Sequence, residues 1–368
     1  MKLFCNKSNL CEAINNVSKA VPAKSAMIAL EGIKVNLNES ELTLTGYDLE
    51  IGIKTTINVR STDCGEIIIN ARLFNEIIKK MPTEEISIEI DENNSVTITG
   101  GQTQYTISAT KSDEYPDVPE VNDCESFDIP QAMLKNMINQ TIFAVATNET
   151  KPILTGELFD IEDGIINIVA IDGYRLAIRT EKINCQENYK FVVPSKTLNE
   201  VSKLLKDDED LICQIHKSKK HIIFDISGYL VISRLLEGEF HNYKGSIPQS
   251  SNTEVIIVKK DLISSLERAS LLINERIKSP VKCLFENGQV KMSCSTSLGK
   301  VNDEVNADIV GPMIEIGFNN KYFLDPLKTI EDDKIKLLMN GSNLPMKITS
   351  LSGEGYTFLV LPVRLKNE

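Results

Sequence analysis

Tryptophan is absent from the 368-residue sequence, and histidine occurs only three times. With aromatic residues at 6 %, no platform of rings is evident on which unpaired bases could stack. His216 and His221 lie five apart in a hairpin of strand character and are expected to face opposite sides of a sheet, so they make no metal pair. The eight cysteines stand singly and form no CxxC, which excludes a zinc-ribbon or disulfide framework and fits reduced thiols in a cytoplasm. No apolar run approaches the roughly 20 residues of a spanning helix. The opening MKLFCNKSNLCEAINNV breaks its apolar residues with Asn, Lys and Glu, so no secretion signal is expected. A phosphate loop of the GxxxxGK[ST] type, HExxH and GxSxG are all missing. Gly353-Glu-Gly355 reads as a turn before a strand, and Asp207/Asp208 and Asp332/Asp333 as solvated turns after helices. No catalytic residue, metal ligand or cofactor is expected. The net charge of −12 excludes a surface that is basic all over, but not a locally basic one.

What is present is repetition. NARLFNEIIKKM (70–81) returns as PSKTLNEVSKLL (194–205) and NNKYFLDPLKTI (319–330), at offsets of 124 and 125 residues. The third position is Arg72, Lys196, Lys321; the fifth is Phe74, Leu198, Phe323; the tenth is Lys79, Lys203, Lys328. A second helix also recurs, aligning Leu10 with Leu134 and Leu262, and Ile14 with Ile138 and Leu266. Between the helices run alternating segments such as GIKVNLNESELTLTG (32–46), which read as hairpins. Each repeat is therefore a strand–helix–strands unit written twice. The expected fold is α+β, three similar domains with helices on one side of antiparallel sheets, bounded at 1–122, 123–250 and 251–368.

Charge follows the elements. The six helical segments together carry +8, leaving −20 to the rest of the chain. Positions three and ten of the repeated helix share a face roughly opposite positions five and twelve, so the bases lie away from the apolar stripe. Glu76, Glu200 and Asp325 are spaced to pair with those bases within the helix, which is what a merely solvated face would show. Six helices of one sign on an acidic chain point instead to a shared polyanion bound without reading its sequence.

The three-repeat layout, with TLTGYDLEIGIKT (43–55), FAVATNETKPILTG (143–156), AIDGYRLAIR (170–179) and YTFLVLPVRL (356–365), resembles the bacterial sliding clamp, the beta subunit of DNA polymerase III. The likeness runs from Met1 to Leu365. It implies a non-catalytic processivity factor, a six-domain ring built by a head-to-tail homodimer around duplex DNA. Its implied partners are the replicative DNA polymerase, the clamp loader, and repair polymerases and other proteins carrying a clamp-binding motif. The implied location is cytoplasmic, away from membranes.

Position by position, the resemblance implies DNA contacts at Lys24, Arg72, Asn148, Lys151 and Lys196, to which the helical-face argument adds Lys79, Lys203 and Lys260. It implies a peptide pocket with one wall of Leu154, Gly173, Tyr174, Arg175 and Leu176, and another of Val360, Leu361, Pro362, Val363 and Arg364. Tyr322, Met346 and His241 complete it, with arginines at the edge. Ile107 and Ala109 on one side, and Leu271, Leu272 and Ile273 on the other, are implied at the dimer contact. The sequence departs from the family pattern at Tyr174, where His is usual, at His241, Gly245 and Ser246, and in AMIALEG (26–32), which lacks a proline. Two rival readings remain at this level: a repeat scaffold that binds peptides and never encircles DNA, and a metal-assisted hydrolase built on Asp172.

Overall fold

The computed structural model describes residues 1–119, 121, 124–147, 150–273 and 279–365. The first repeat runs β1 (Lys2–Asn6), α1 (Lys7–Val17), β2 (Gly32–Asn38), β3 (Glu41–Tyr47), β4 (Ile51–Asn58), then β5 (Cys64–Asn70), α2 (Ala71–Lys80), β6 (Glu85–Ile90), β7 (Ser95–Gly100), β8 (Thr103–Ser108). The second runs β9 (Glu125–Pro130), α3 (Gln131–Thr141), β10 (Gly156–Glu162), β11 (Ile165–Ile171), β12 (Arg175–Lys182), then β13 (Tyr189–Pro194), α4 (Ser195–Leu204), β14 (Ile212–Lys217), β15 (His221–Ile226), β16 (Tyr229–Arg234). The third runs β17 (Thr253–Val258), α5 (Lys259–Ser270), β18 (Val281–Glu286), β19 (Gln289–Thr296), β20 (Gly299–Val310), then β21 (Ile314–Phe318), α6 (Asn320–Thr329), β22 (Lys334–Met339), β23 (Met346–Thr349), β24 (Tyr356–Val360). The expected unit of one strand, one helix and three strands thus occurs six times.

Local chemistry sets the helix starts. Asn6, Asn70 and Asn319 each precede a helix and accept from the backbone N–H of Asn9, Leu73 and Lys321, at 3.2, 3.0 and 3.0 Å. An Asn cap of this kind contributes about 1 kcal/mol. The repeated apolar positions are the core: Phe74, Leu198, Phe323, Leu10, Leu134 and Leu262 are fully buried. Arg72, Lys79, Lys196, Lys203, Lys321 and Lys328 are exposed, as the periodicity requires. Several hairpins close on two-residue turns, as at Asp163-Gly164, where both residues take positive φ.

Strand pairing crosses the repeat borders. The sheets are ordered β1-β6-β7-β8, β5-β2-β3-β4-β16-β15-β14-β9, and β13-β10-β11-β12-β24-β23-β22-β17-β20-β19-β18-β21. The last strand of one repeat's first half pairs with the last strand of the next repeat's second half: β4 with β16 (Thr55↔Tyr229) and β12 with β24 (Arg179↔Tyr356). The chain accordingly divides into two compact units that split the second repeat, Met1–Met133 with Glu200–Leu235, and Leu134–Asn199 with Leu236–Glu368.

One expectation is corrected. His216 pairs with Ile223, two residues along β15 from His221, so both histidines lie on the same outer face of their sheet. Crossing the turn restores the facing that simple alternation along one strand would reverse. His216 Nδ1 is bonded to Ser126 Oγ at 2.7 Å, and no group of metal-ligating side chains occurs among the described residues.

Candidate peptide pocket, basic helix faces and open strand edges

The turn before β12 is held by Asp172, whose Oδ1 accepts from the backbone of Tyr174 (2.9 Å) and Arg175 (3.0 Å). Gly173 takes φ +91° at its apex, with open space where a Cβ would stand. This geometry pushes Tyr174 outward, 61 % exposed, where its ring stacks on Tyr322 with centroids 5.9 Å apart. Leu361 N donates to the Tyr174 carbonyl at 2.9 Å, and Arg175 pairs with Val360, so the two predicted walls meet along one strand junction.

Arg175 is not the edge cation expected from the sequence. It is 7 % exposed and donates to Asp172 Oδ2 at 2.9 Å and Asp325 Oδ2 at 2.6 Å. Its guanidinium lies over Tyr322 (4.5 Å) and Phe143 (5.4 Å). A buried arginine needs both carboxylates to offset desolvation, so this side chain is a post that fixes the wall. The same bonds occupy Asp172, the residue on which a hydrolase reading rested. They also explain why Asp325 does not pair along its own helix, whereas Glu200 does, accepting from Lys203 at 2.8 Å.

The remaining pocket residues divide between two apolar clusters. Leu154 and Leu176 pack with Phe240, Tyr243, Ile247 and Leu359. Met346 and Val360 are fully buried in the larger cluster, against which Tyr322 packs. Leu361, Val363, Arg364 and His241 are exposed, Pro362 is half-buried, and His241 Nε2 lies 3.1 Å from Ser246 Oγ. A cavity of about 590 Å³ lined by Ile273, Pro280, Tyr322, Leu324 and Val363 adjoins this wall and takes in one residue expected at the dimer contact.

Of the bases, Lys24, Arg72, Lys79, Lys151, Lys196, Lys203 and Lys260 are exposed, and Asn148 lies outside the described residues. Two helix bases are structural instead: Lys7 Nζ donates to the Met81 carbonyl (2.6 Å) and Lys259 Nζ to the Ile330 carbonyl (2.5 Å). Each ties the start of one helix to the end of the next. Lys19 is a base that side-chain spacing did not single out. Partial burial lowers its pKa, Glu200 opposes that, and Lys203 adds to it, so these three groups form one cluster.

Two open strand edges belong to the same series as the β4–β16 and β12–β24 junctions. β8 ends its sheet, with Tyr105 39 % exposed, Ile107 and Ala109 half-buried. β20 pairs with β19 through Gly299–Asn306 and with β17 only through Ala307–Val310, so one edge of its first half is unpaired. Beside it Leu271 is 81 % exposed and Leu272 and Ile273 are half-buried.

Comparison with known proteins matches three family models in chain order: the DNA polymerase III beta subunit N-terminal domain over residues 1–119, its central domain over 128–242 and its C-terminal domain over 244–364. The beta sliding clamp of Bacillus subtilis is 34 % identical over 99 % of this chain and all of that protein. The crystal structure of the Bacillus subtilis DNA polymerase sliding clamp superposes with a TM-score of 0.96, covering the whole of both chains. A putative DNA polymerase III beta subunit from Eubacterium rectale gives 0.95 at 34 % identity, covering 99 % of this chain and 100 % of that one. These matches span the three repeats end to end, and the chain belongs to the bacterial DNA polymerase III beta subunit, or sliding clamp, family.

Proposed function

We propose that two copies of this chain join head to tail into a ring of six domains, which encircles duplex DNA and tethers a DNA polymerase. It is a non-catalytic processivity factor. The observation that carries this reading is the repeated junction. β4 is completed by β16 and β12 by β24, whereas among the described residues the third strand of that series, β20, leaves one edge of its first half unpaired and the third partner, β8, pairs only with β7. An open edge is a template for another strand. Equivalent positions fix the register: Thr55, Arg179 and Asp303 correspond, as do Tyr229, Tyr356 and Thr103. Asp303 then lies opposite Thr103 of a second copy, Val301 opposite Tyr105, and Gly299 opposite Ile107. At Gly299 an added Cβ would meet Leu272 at 3.9 Å, so Ile107 of the second copy would rest on Leu272. Domain boundaries at 1–122, 123–250 and 251–368 accompany this reading.

The basic helix faces serve the DNA. Arg72, Lys79, Lys151, Lys196, Lys203, Lys24 and Lys260 contact phosphate, with Asn148 among them, so binding falls with salt and ignores sequence. Reversing Arg72, Lys79, Lys196 and Lys203 to Glu lowers direct duplex affinity at 50 mM salt by at least about 100-fold. It leaves the dimer intact by sedimentation. Unchanged affinity in that variant contradicts the assignment.

The Tyr174–Tyr322 wall and the Leu361–Arg364 segment receive short apolar peptides from the polymerase, the clamp loader and repair proteins. Tyr174→Ala, or separately Val363→Glu, weakens a clamp-binding peptide by about 1–2 kcal/mol, measured by calorimetry on the intact dimer. Equal affinity in both variants and the parent moves the pocket elsewhere. The protein acts in the cytoplasm under this reading.

A further inference from the structure

The two junctions within the chain are each locked by a side chain that reaches a turn carbonyl, and the third position is built differently. At the first, Thr55 Oγ1 donates to the Gly228 carbonyl at 2.9 Å, and Asn16 on α1 bonds the Tyr229 hydroxyl. At the second, Arg179 Nη1 donates to the Gly355 carbonyl at 2.7 Å. Gly228 and Gly355 each stand one residue before the completing strand, the place Gln102 holds before β8. At the open edge of β20 the corresponding residue is Asp303, whose carboxylate has no proton to give a carbonyl at neutral pH.

Asp303 is instead occupied with α5. Its Oδ2 accepts from Ser265 Oγ (2.6 Å), Arg268 Nε (2.7 Å) and Arg268 Nη2 (2.5 Å). Arg268 is the tenth residue of α5, which begins at Lys259, as Asn16 is the tenth of α1, which begins at Lys7. Its side chain is 52 % exposed, and among the described residues Nη1 has no bonded partner. Position and chemistry agree: the donor has moved from strand to helix, and the carboxylate on the strand aims it.

We infer that Arg268, oriented by Asp303, is the latch of the intersubunit junction, its free Nη1 donating to the backbone carbonyl of the partner's Gln102. The inference rests on the dimer reading above. Like Arg179, whose Nη2 is held by Glu181 Oε1 at 2.5 Å, Arg268 is then a charged donor aimed by a carboxylate, but one standing on the helix with the carboxylate on the strand. Ionised donors form the stronger hydrogen bonds.

The test is the dimer dissociation constant by sedimentation equilibrium on the full chain. Arg268→Ala raises it about 10- to 100-fold, the range expected for a bond to a charged group, and Asp303→Ala raises it by less. Adding Asp303→Arg to Arg268→Ala, which recreates the arrangement at Arg179, restores it to within about threefold of the parent. Melting of these variants in a Leu272→Glu, Ile273→Glu monomer background separates loss of the latch from loss of α5. A dissociation constant unchanged by Arg268→Ala overturns the latch, as does a loss that Asp303→Arg does not rescue. If Leu272→Glu, Ile273→Glu fails to give monomers, it is the dimer reading itself that falls.

Discussion

With Leu272→Glu and Ile273→Glu together, the protein sediments as a monomer at micromolar concentration. The parent at the same concentration sediments as a dimer. Leu272 is half-buried beside the open edge of β20, and Leu271 next to it is 81 % exposed, a cluster of aliphatic surface at a helix end. Covering each side chain with a second copy stabilises association by roughly 1.5–3 kcal/mol. Glutamates there lose that contribution and add two carboxylates to be desolvated, so the dissociation constant rises by at least about 1,000-fold. Ile107→Glu, on the opposing edge, does the same from the other side. A double variant that stays dimeric at micromolar concentration places the interface elsewhere.

The second large effect is internal. Glu157 on β10 is fully buried, and burial pushes its carboxyl up to about 8, a rise the bond with Thr141 only partly opposes. In the first repeat the same two places are held by Ile33 and Val17, both fully buried. A polar pair has therefore replaced an apolar one in the core of the second repeat. The neutral carboxyl suits the site: it can donate to Thr141 Oγ1, 2.7 Å away, freeing the hydroxyl proton for the Met137 carbonyl at 2.8 Å. The sign of the pH dependence follows. Below pH 4.5 both folded and unfolded carboxyls are protonated and nothing is lost. From there to about pH 8 the unfolded chain ionises and the folded one does not, so stability falls by about 1.4 kcal/mol per pH unit, approaching 5 kcal/mol. Above that the loss levels off. Glu157→Gln removes the slope, so its melting temperature gains on the parent between pH 5 and 8. Glu157→Ile with Thr141→Val gains more. A difference between variant and parent that is constant over that range contradicts a neutral buried Glu157.

Much of this was legible in the sequence because helical periodicity and a fixed repeat are local signals. Phe74, Leu198 and Phe323 recur at one spacing and are buried, while Arg72, Lys196 and Lys321 recur at another and are exposed. The shape of the half-unit followed from the same alternation. What was not legible depends on residues far apart in the chain. Arg175 reads as an edge cation until Asp325, 150 residues away, is seen to hold it. Lys7 and Lys259 read as two more surface bases until their bonds to Met81 and Ile330 appear. The open edges of β8 and β20 follow from which strands of other repeats complete β4 and β12, a matter of topology that no window of sequence contains. Glu157 shares one face of β10 with Phe159 and Ile161, but β10 is buried on both faces, and that is set by what packs over it.

The central claim is that retention on DNA comes from encirclement, with the basic helix faces adding only loose phosphate contacts. It is tested most directly by loading the labelled protein onto nicked circular duplex with a bacterial clamp loader and ATP, washing at 0.5 M salt, and then cutting the circle once with a restriction enzyme. The account predicts that the label stays with the circle through the wash and is released within minutes of the cut, when the linear ends are free. Equal retention on cut and uncut DNA, or loss from the intact circle in the salt wash, contradicts it.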